Sequence, residues 1–369
     1  MTDHWGRDRA EPVAVGPPRR RVSRSDRIRE ARGRRKRRFV TGFALVLLIV
    51  VVVGAVFLGS KLWHTMFSSS NDFSGDGVND VVIQIHDGDS TTAIGKTLED
   101  HKVVATVKAF VEAAAGNAAI SAIQPGFYRV RTEIPASNAV SRLADPHNRV
   151  GKLVIPEGRQ LDDIQDVKTN AVTDGIFSLI SHATCVNLDG DQHCVSVDDL
   201  RNAAGAAAPS ALSVPDWAIN EVSALGNDHR RLEGLIAPGA WNIDPSASPQ
   251  DILSTLIATS ATQYAQGGLL DTAKSMNMSP YQILTVGSLV QRESKPDDFA
   301  KVARVIYNRL HENRTLEFDS TVNYPLNRIE VATTDADRAQ NTLWNTYVRP
   351  GLPATPICSP GQPALAAAE

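Results

Sequence analysis

The residues best placed to do chemistry fall between positions 283 and 324, where ILTVGSLVQRESKPDDFAKVARVIYNRLHENRTLEFDSTVNY sets one carboxylate, Glu293, at the end of an apolar run. At 100° per residue, Val286, Leu289, Val290 and Glu293 share one stripe of a helix, while Gln291 and Arg292 point elsewhere. Holding an ionised carboxylate among apolar neighbours is costly, so this placement predicts a raised pKa and a proton available near neutral pH. Such a group can act as a general acid, protonating the leaving oxygen when a glycosidic bond breaks. The structural alternative is that Glu293 simply ends a buried helix and pairs with Arg304 or Arg309. Hydrolytic glycosidases commonly use a second carboxylate, and Asp319, Asp297 and Asp298 are the nearest to hand.

The elements that must position Glu293 are legible. Ser279 is a helix N-cap, Pro280 fits the first helical position, and Gln282 completes a capping box three residues after the serine. A second helix over 299–311, with Ala303, Ile306 and Leu310 on one side, is expected to pack behind the acid. Asp297 and Asp298 fall on a loop after Pro296. Asp319, Thr321, Asn345 and Thr346 are suited to hydrogen-bond sugar, and Tyr324, Trp344 and Tyr347 offer flat apolar faces with polar handles. Each also has an internal reading, as a loop tether or a core residue.

The order of these segments resembles the YceG-like family of endolytic murein transglycosylases, with the signature V-E-K-E-T, N-R-L, L-x-x-D-P-T-V-x-Y, Y-N-T-Y and G-L-P-P-x-P-I-x-x-P-G. The matching stretches are VQRES at 290–294, NRL at 308–310, LEFDSTVNY at 316–324, WNTY at 344–347 and GLPATPICSPG at 351–361. Gln291 stands for the first glutamate of the pattern, Ser320 for its proline and Trp344 for a tyrosine. The resemblance makes Glu293 the catalytic residue and places Asp319, Thr321, Tyr324, Asn345 and Tyr347 against substrate. It implies a lytic reaction on peptidoglycan, in which one glutamic acid protonates the oxygen between N-acetylmuramic acid and N-acetylglucosamine. The same group then takes a proton from the muramyl C6 hydroxyl, which closes onto C1 to leave a 1,6-anhydro end. No cofactor and no metal are expected. Leu232 to Trp241, LEGLIAPGAW, resembles a further family segment, L-E-G-[FW]-x-[FW]-P-D-T-Y, with its last three residues altered. Two other readings stand beside this one: a non-catalytic glycan-binding or scaffold protein, and a lysozyme-like hydrolase.

The charge along the chain is divided. Residues 1–38 carry fourteen Lys/Arg against five Asp/Glu, a net of +9, which leaves −12 for the rest of a chain whose total is −3. Between the two, residues 39–59 hold no charge and span about 32 Å as a helix, enough to cross a bilayer. The cluster at 34–38 lies on the N-terminal side only, which orients the N-terminus to the cytoplasm and the body outside. Trp63 is the interfacial anchor, and the basic run beside a span reads as an orienting, lipid-facing feature, with no nucleic-acid partner.

The expected class is α+β: a single N-terminal transmembrane helix, a small LysM-like α/β subdomain and a mixed α+β catalytic domain. The boundaries are a disordered cytoplasmic tail (1–38), the membrane helix (39–62), a linker (63–79), the LysM-like region (80–165), an intermediate region (166–231) and the catalytic domain (232–369). That last domain is expected to be short, because family members continue beyond the position of Glu369. Two units, IHDGDSTTAI at 85–94 and IPEGRQLDDI at 155–164, share I-x-[DE]-G-x5-I and each reads as strand, glycine turn and short helix. QPGFYRV at 124–130 matches the family strand between them. On the oxidising side of a membrane Cys185 and Cys194, with eight residues between them, are expected to form a disulfide. A metal site from His182, Cys185, His193 and Cys194 is the rival, without a standard spacing. Cys358 is expected to be packing. The expected partners are peptidoglycan strands, the cytoplasmic membrane, and peptidoglycan synthases of the elongation or division machinery.

Overall fold

The computed structural model describes residues 71–369 apart from 331 and 332. The expected tail, the expected membrane helix at 39–62 and residues 63–70 of the expected linker therefore lie outside the described residues. Among the described residues, no helix is long and apolar enough to cross a membrane.

The chain is a mixed α+β fold built on two hydrophobic cores. Alternation at Val81, Ile83 and Ile85 produces strand β1 (Asp80–Ile85), with Ile83 and Ile85 buried and Gln84 exposed between them. The Ser90 hydroxyl accepts the Ala93 N–H at 3.2 Å and so starts helix α1 (Thr91–Asp100), which buries Ile94 and Leu98. Helix α2 (Val107–Ala114) follows, and strand β2 (Gly126–Arg131) returns antiparallel along the whole of β1. Helix α3 (Ala136–Ala144) and the short strand β3 (Arg149–Val150) complete the unit. Phe110, Val130, Val140 and Leu143 fill its core.

The second strand-turn unit departs from the expected repeat. Strand β4 (Lys152–Ile155) ends at Ile155 as anticipated, but no helix follows, and the chain passes through a turn at 157–158 and a bend at 161–162 into β5 (Ile164–Asp166). The position equivalent to Ser90 is Gln160, so the cap is missing. Tertiary partners also claim the backbone donors: Gly158 N–H donates to the Ser359 carbonyl at 2.8 Å, and Leu161 N–H to Glu233 Oε2 at 3.1 Å. With Leu161 and Ile164 buried in the second core, this irregular path gives those donors partners that a turn of helix would not.

The second core spans Leu153 to Ala368 and includes Ile176, Phe177 and Leu200, so residues 166–231 and 232–369 share one interior. Strands β5 and β6 (Val172–Thr173) precede helix α4 (Ile176–Thr184). The exposed hairpin of β7 (Val186–Leu188) and β8 (Asp191–His193) is closed at its base by a Cys185–Cys194 disulfide, which leaves neither sulfur as a metal ligand. Helix α5 (Val197–Ala206) follows, and strand β9 (Gly239–Asn242) pairs antiparallel with β4. Helices α6 (Pro249–Gln266) and α7 (Leu269–Met276) lead into α8 (Pro280–Glu293).

Helix α8 is the axis of this core, buried on all sides from Ile283 to Val290. Helix α9 (Phe299–His311) buries Phe299, Ala303 and Ile306 and packs against α8. The short helix α10 (Asp319–Asn323) touches α8 as well, and β10 (Arg328–Ile329), parallel to β5, follows it. Helix α11 (Gln362–Ala368) lies directly on α8. A Cβ on Gly287 would stand only 3.2 Å from Leu365 Cδ1 and 3.3 Å from Leu365 Cα, so glycine is what allows the two helices to approach.

One buried ionic knot ties three parts of the second core together. Asp162, 5% exposed, lies 2.8 Å from Arg201 Nε on α5 and 2.7 Å from His229 Nε2. Burial pushes the Asp162 carboxyl up, but the bonds from His229 and Arg201 outweigh it and hold the group at about 2. A carboxyl with a depressed folded-state pKa contributes stability above its unfolded pKa, and that contribution is lost as pH falls toward the folded value. Melting measured between pH 4 and pH 2 should therefore show a loss of about 2 kcal/mol that the Asp162→Asn variant lacks. Parallel pH curves for the two proteins would remove Asp162 from that role.

Candidate active site

The start and end of α8 determine where Glu293 stands. Both halves of the capping box form: Gln282 N–H donates to Ser279 Oγ at 3.1 Å and Ser279 N–H to Gln282 Oε1 at 2.9 Å, with Pro280 in the first turn. The helix then runs until Ser294 adopts an extended backbone (φ −150°), making Glu293 its last residue. Val286, Leu289 and Val290 beneath it are fully buried, whereas Glu293 is half-buried, its carboxyl at the rim of the core.

Burial pushes the Glu293 carboxyl above its ordinary value, and the negative charge of nearby Asp319 pushes the same way. The helix C-terminus, where carbonyls point outward, also disfavours an anion. Opposing these are the Ser320 hydroxyl and backbone amide and the Arg292 charge, each smaller than the effect of burial. The Ser320 contact is a loose one: its Oγ is buried without a partner at full hydrogen-bonding geometry. Neither Arg304 nor Arg309 comes within 4 Å of Glu293 among the described ion pairs, and Arg309 instead donates to the Leu316 carbonyl.

Asp319 is the opposite case. Burial raises its carboxyl, but hydrogen bonds from Thr333, Tyr347 and Arg338 more than offset that and hold it below the usual carboxylate range. Tyr347 Oη donates to Asp319 Oδ1 at 2.8 Å, and Arg338 donates through Nε at 3.2 Å and Nη2 at 3.3 Å. The Arg338 guanidinium also lies 5.1 Å from the Tyr347 ring centre, over its face. Bonded to Asp319 and partly desolvated, the Tyr347 phenol is pushed up to about 12. Two neighbouring carboxyl groups are thus driven apart, one toward the neutral acid and one toward the anion, which is how acid and base roles separate.

The other sequence-predicted residues lie beneath this pair. Thr321 is fully buried, its Oγ1 2.8 Å from Thr346 Oγ1 and donating to the Phe318 carbonyl at 2.6 Å. Asn345, 1% exposed, donates to the carbonyls of Arg338 at 2.9 Å and Gln340 at 2.6 Å and accepts the Tyr347 N–H at 2.9 Å. Tyr324 is 2% exposed, with its hydroxyl on Glu233 at 2.9 Å and its ring edge-on to Trp344 at 5.5 Å. Their polar atoms are therefore spent on internal bonds, Thr321 to Thr346, Asn345 to the 338–340 backbone and Tyr324 to Glu233, and Asp319 and Tyr347 are the more exposed members of the set. Asp297 and Asp298 sit in an exposed 3-10 turn.

The departures from the family pattern have local causes. Gln291 Oε1 accepts the Gly361 N–H at 2.9 Å, pinning the N-terminus of α11 to α8 without a charge. Trp344 Nε1 donates to Thr355 Oγ1 at 2.8 Å in the core. Cys358 is fully buried beside the Ser288 carbonyl. Cavities of about 320, 600 and 530 Å³ border other faces, and Glu293 lines none of these three.

Sequence reasoning missed three participants. Thr333 and Arg338, fourteen and nineteen residues from Asp319, carry no local signal, since only the turn of the chain through β10 brings them back. Glu233 did carry one, the same as Glu293: a carboxylate inside an apolar run, LEGLI.

A half-buried acid beside a tethered anion, on a mixed α+β scaffold, is an arrangement able to do general acid/base chemistry. Residues 83–369 match the model of the YceG-like family, and the chain belongs to that family. It is 25% identical over 324 residues to the endolytic murein transglycosylase of Bacillus subtilis (strain 168), covering 86% of this chain and 81% of that one. Identity is also 25% over 297 residues to the endolytic murein transglycosylase of Streptococcus pneumoniae serotype 2 (strain D39 / NCTC 7466), covering 77% of this chain but 51% of the relative. A solved yceG-like protein from Listeria monocytogenes superimposes with a TM-score of 0.48 at 24% identity, over 78% of this chain and 89% of that one.

Proposed function

We propose that this protein is a peptidoglycan lytic transglycosylase that cuts within glycan strands, with Glu293 as its single acid/base. The observation that carries this reading is the pairing of a carboxyl pushed toward its neutral form with a neighbouring carboxylate held ionised. Glu293 gives its proton to the oxygen between N-acetylmuramic acid and N-acetylglucosamine as the C1–O bond breaks. The Glu293 carboxylate then takes the proton of the muramyl C6 hydroxyl, whose oxygen bonds to C1. The acid is regenerated, a 1,6-anhydro end forms and no water is consumed. Intramolecular attack draws on effective molarity, so one environment-tuned carboxyl suffices. The name shared by the relatives, endolytic murein transglycosylase, supports the same substrate.

In this reading residues 39–59 anchor the chain in the cytoplasmic membrane with the N-terminus inside and the site outside, where new glycan is made. The strand-turn-helix unit of β1 and α1, closed by β2, serves as the LysM-like region that holds the strand, and synthases of the elongation or division machinery are neighbours. Mass spectrometry of unmodified glycan strands digested by the protein in water enriched in heavy oxygen should find internal fragments with 1,6-anhydro ends and no label. Labelled reducing ends would make the protein a hydrolase, and no cleavage would leave a binding protein.

A further inference from the structure

Glu233 is a buried carboxyl that the proposed reaction does not use. It is 1% exposed and follows Leu232 into the core, where its Oε2 accepts two hydrogen bonds, from Tyr324 Oη at 2.9 Å and from the Leu161 N–H at 3.1 Å. Its Oε1 is buried without a partner. Tyr324 directly follows α10, and the other end of α10 carries Asp319 and Ser320, the two residues that face Glu293. The Tyr324 ring also meets Trp344 edge-on at 5.5 Å, three residues before the Tyr347 that bonds Asp319. A single carboxyl therefore fastens the far end of α10, and the tyrosine it holds packs on the segment that carries Tyr347.

We propose that Glu233 is a positioning residue for Glu293: by holding the Tyr324 hydroxyl it fixes α10, and with it Ser320 and Asp319, against the acid. The inference rests on the reading of Glu293 as the acid. Truncating Glu233 strands two buried donors, the Tyr324 hydroxyl and the Leu161 amide, and frees α10 to shift. Burial pushes the Glu233 carboxyl up to about 8, so it is mainly neutral near pH 7 and a glutamine reproduces its acceptor without changing the local charge. A shift of α10 changes what surrounds Glu293. Asp319 and Ser320 face it from α10, Tyr347 from the 344–347 segment and Arg292 from its own helix. With Asp319 displaced and water admitted, the Glu293 pKa falls, and the alkaline limb of turnover moves to lower pH.

The test uses the full chain, with formation of anhydro ends on unmodified glycan strands as the assay and thermal melting as the check on folding. Glu233→Gln should keep turnover within about threefold of the parent, whereas Glu233→Ala should lower kcat at least about tenfold with KM little changed. Glu233→Ala should also move the alkaline limb to lower pH. Tyr324→Phe, which leaves the Glu233 side chain in place, should reproduce both effects if the alanine variant folds poorly. Equal losses in Glu233→Gln and Glu233→Ala, full turnover in Glu233→Ala and Tyr324→Phe, or a fall in kcat with the alkaline limb unmoved would each overturn the proposal. An inactive Glu293→Gln beside a fully active Glu233→Ala removes only the positioning role, whereas an active Glu293→Gln removes the acid itself.

Discussion

Replacing Glu293 by glutamine is expected to lower turnover of glycan strands by at least about a hundredfold, the low end of what a general acid contributes. The amide keeps the size and the hydrogen-bonding shape of the carboxyl but has no proton to give. Stability provides the control. A carboxyl whose folded pKa is raised above its unfolded value contributes stability that is complete below the unfolded pKa and lost as pH rises through the folded one. At neutral pH the parent protein carries that cost and Glu293→Gln does not, so the variant should melt no lower than the parent. A variant that is both inactive and poorly folded would assign Glu293 to the core instead. In the parent, activity should fade on the alkaline side at a pH above the ordinary glutamate range, in keeping with the upward push from burial and Asp319.

Asp319→Asn should have the second largest effect, a loss of roughly tenfold at neutral pH, less than the removal of the general acid itself. Removing the negative charge takes away part of what raises Glu293, so the alkaline limb should move to lower pH. It also deprives Arg338 of its carboxylate, loosening the guanidinium that lies over Tyr347. A loss as deep as that of Glu293→Gln, together with water-derived oxygen in the parent's products, would make Asp319 a second catalytic carboxylate and the enzyme a hydrolase. Turnover within twofold and an unmoved pH profile would show instead that the two carboxyls are not coupled.

The part of the site that was legible in the sequence is the part built by neighbours along the chain. The capping box at Ser279, the stripe through Val286, Leu289 and Val290, and the place of Glu293 on that stripe all follow from 3.6-residue periodicity and cap chemistry. The hairpin closed by Cys185 and Cys194 spans a short loop and is local in the same sense. Strand β1 and helix α1 were legible for that reason too, through alternation and the Ser90 cap. The second repeat unit was not, because its backbone answers to Ser359 and Glu233, residues 72 or more positions away, and no local pattern reports such partners.

By itself the sequence determined that one carboxyl would end an apolar helix and therefore resist ionisation, since that requires only a helical period and the cost of burying charge. Only the tertiary structure decided what each other residue does around it. It placed Thr321, Tyr324 and Asn345 inward, each on a partner within the core or its loops, and gave Asp319 its anionic form through Thr333, Arg338 and Tyr347. It also closed Glu233 onto Tyr324 across 91 positions of chain. A side chain's period along a helix is a property of the local backbone, but its ionisation and its partners depend on which distant groups the folded core brings within about 3 Å.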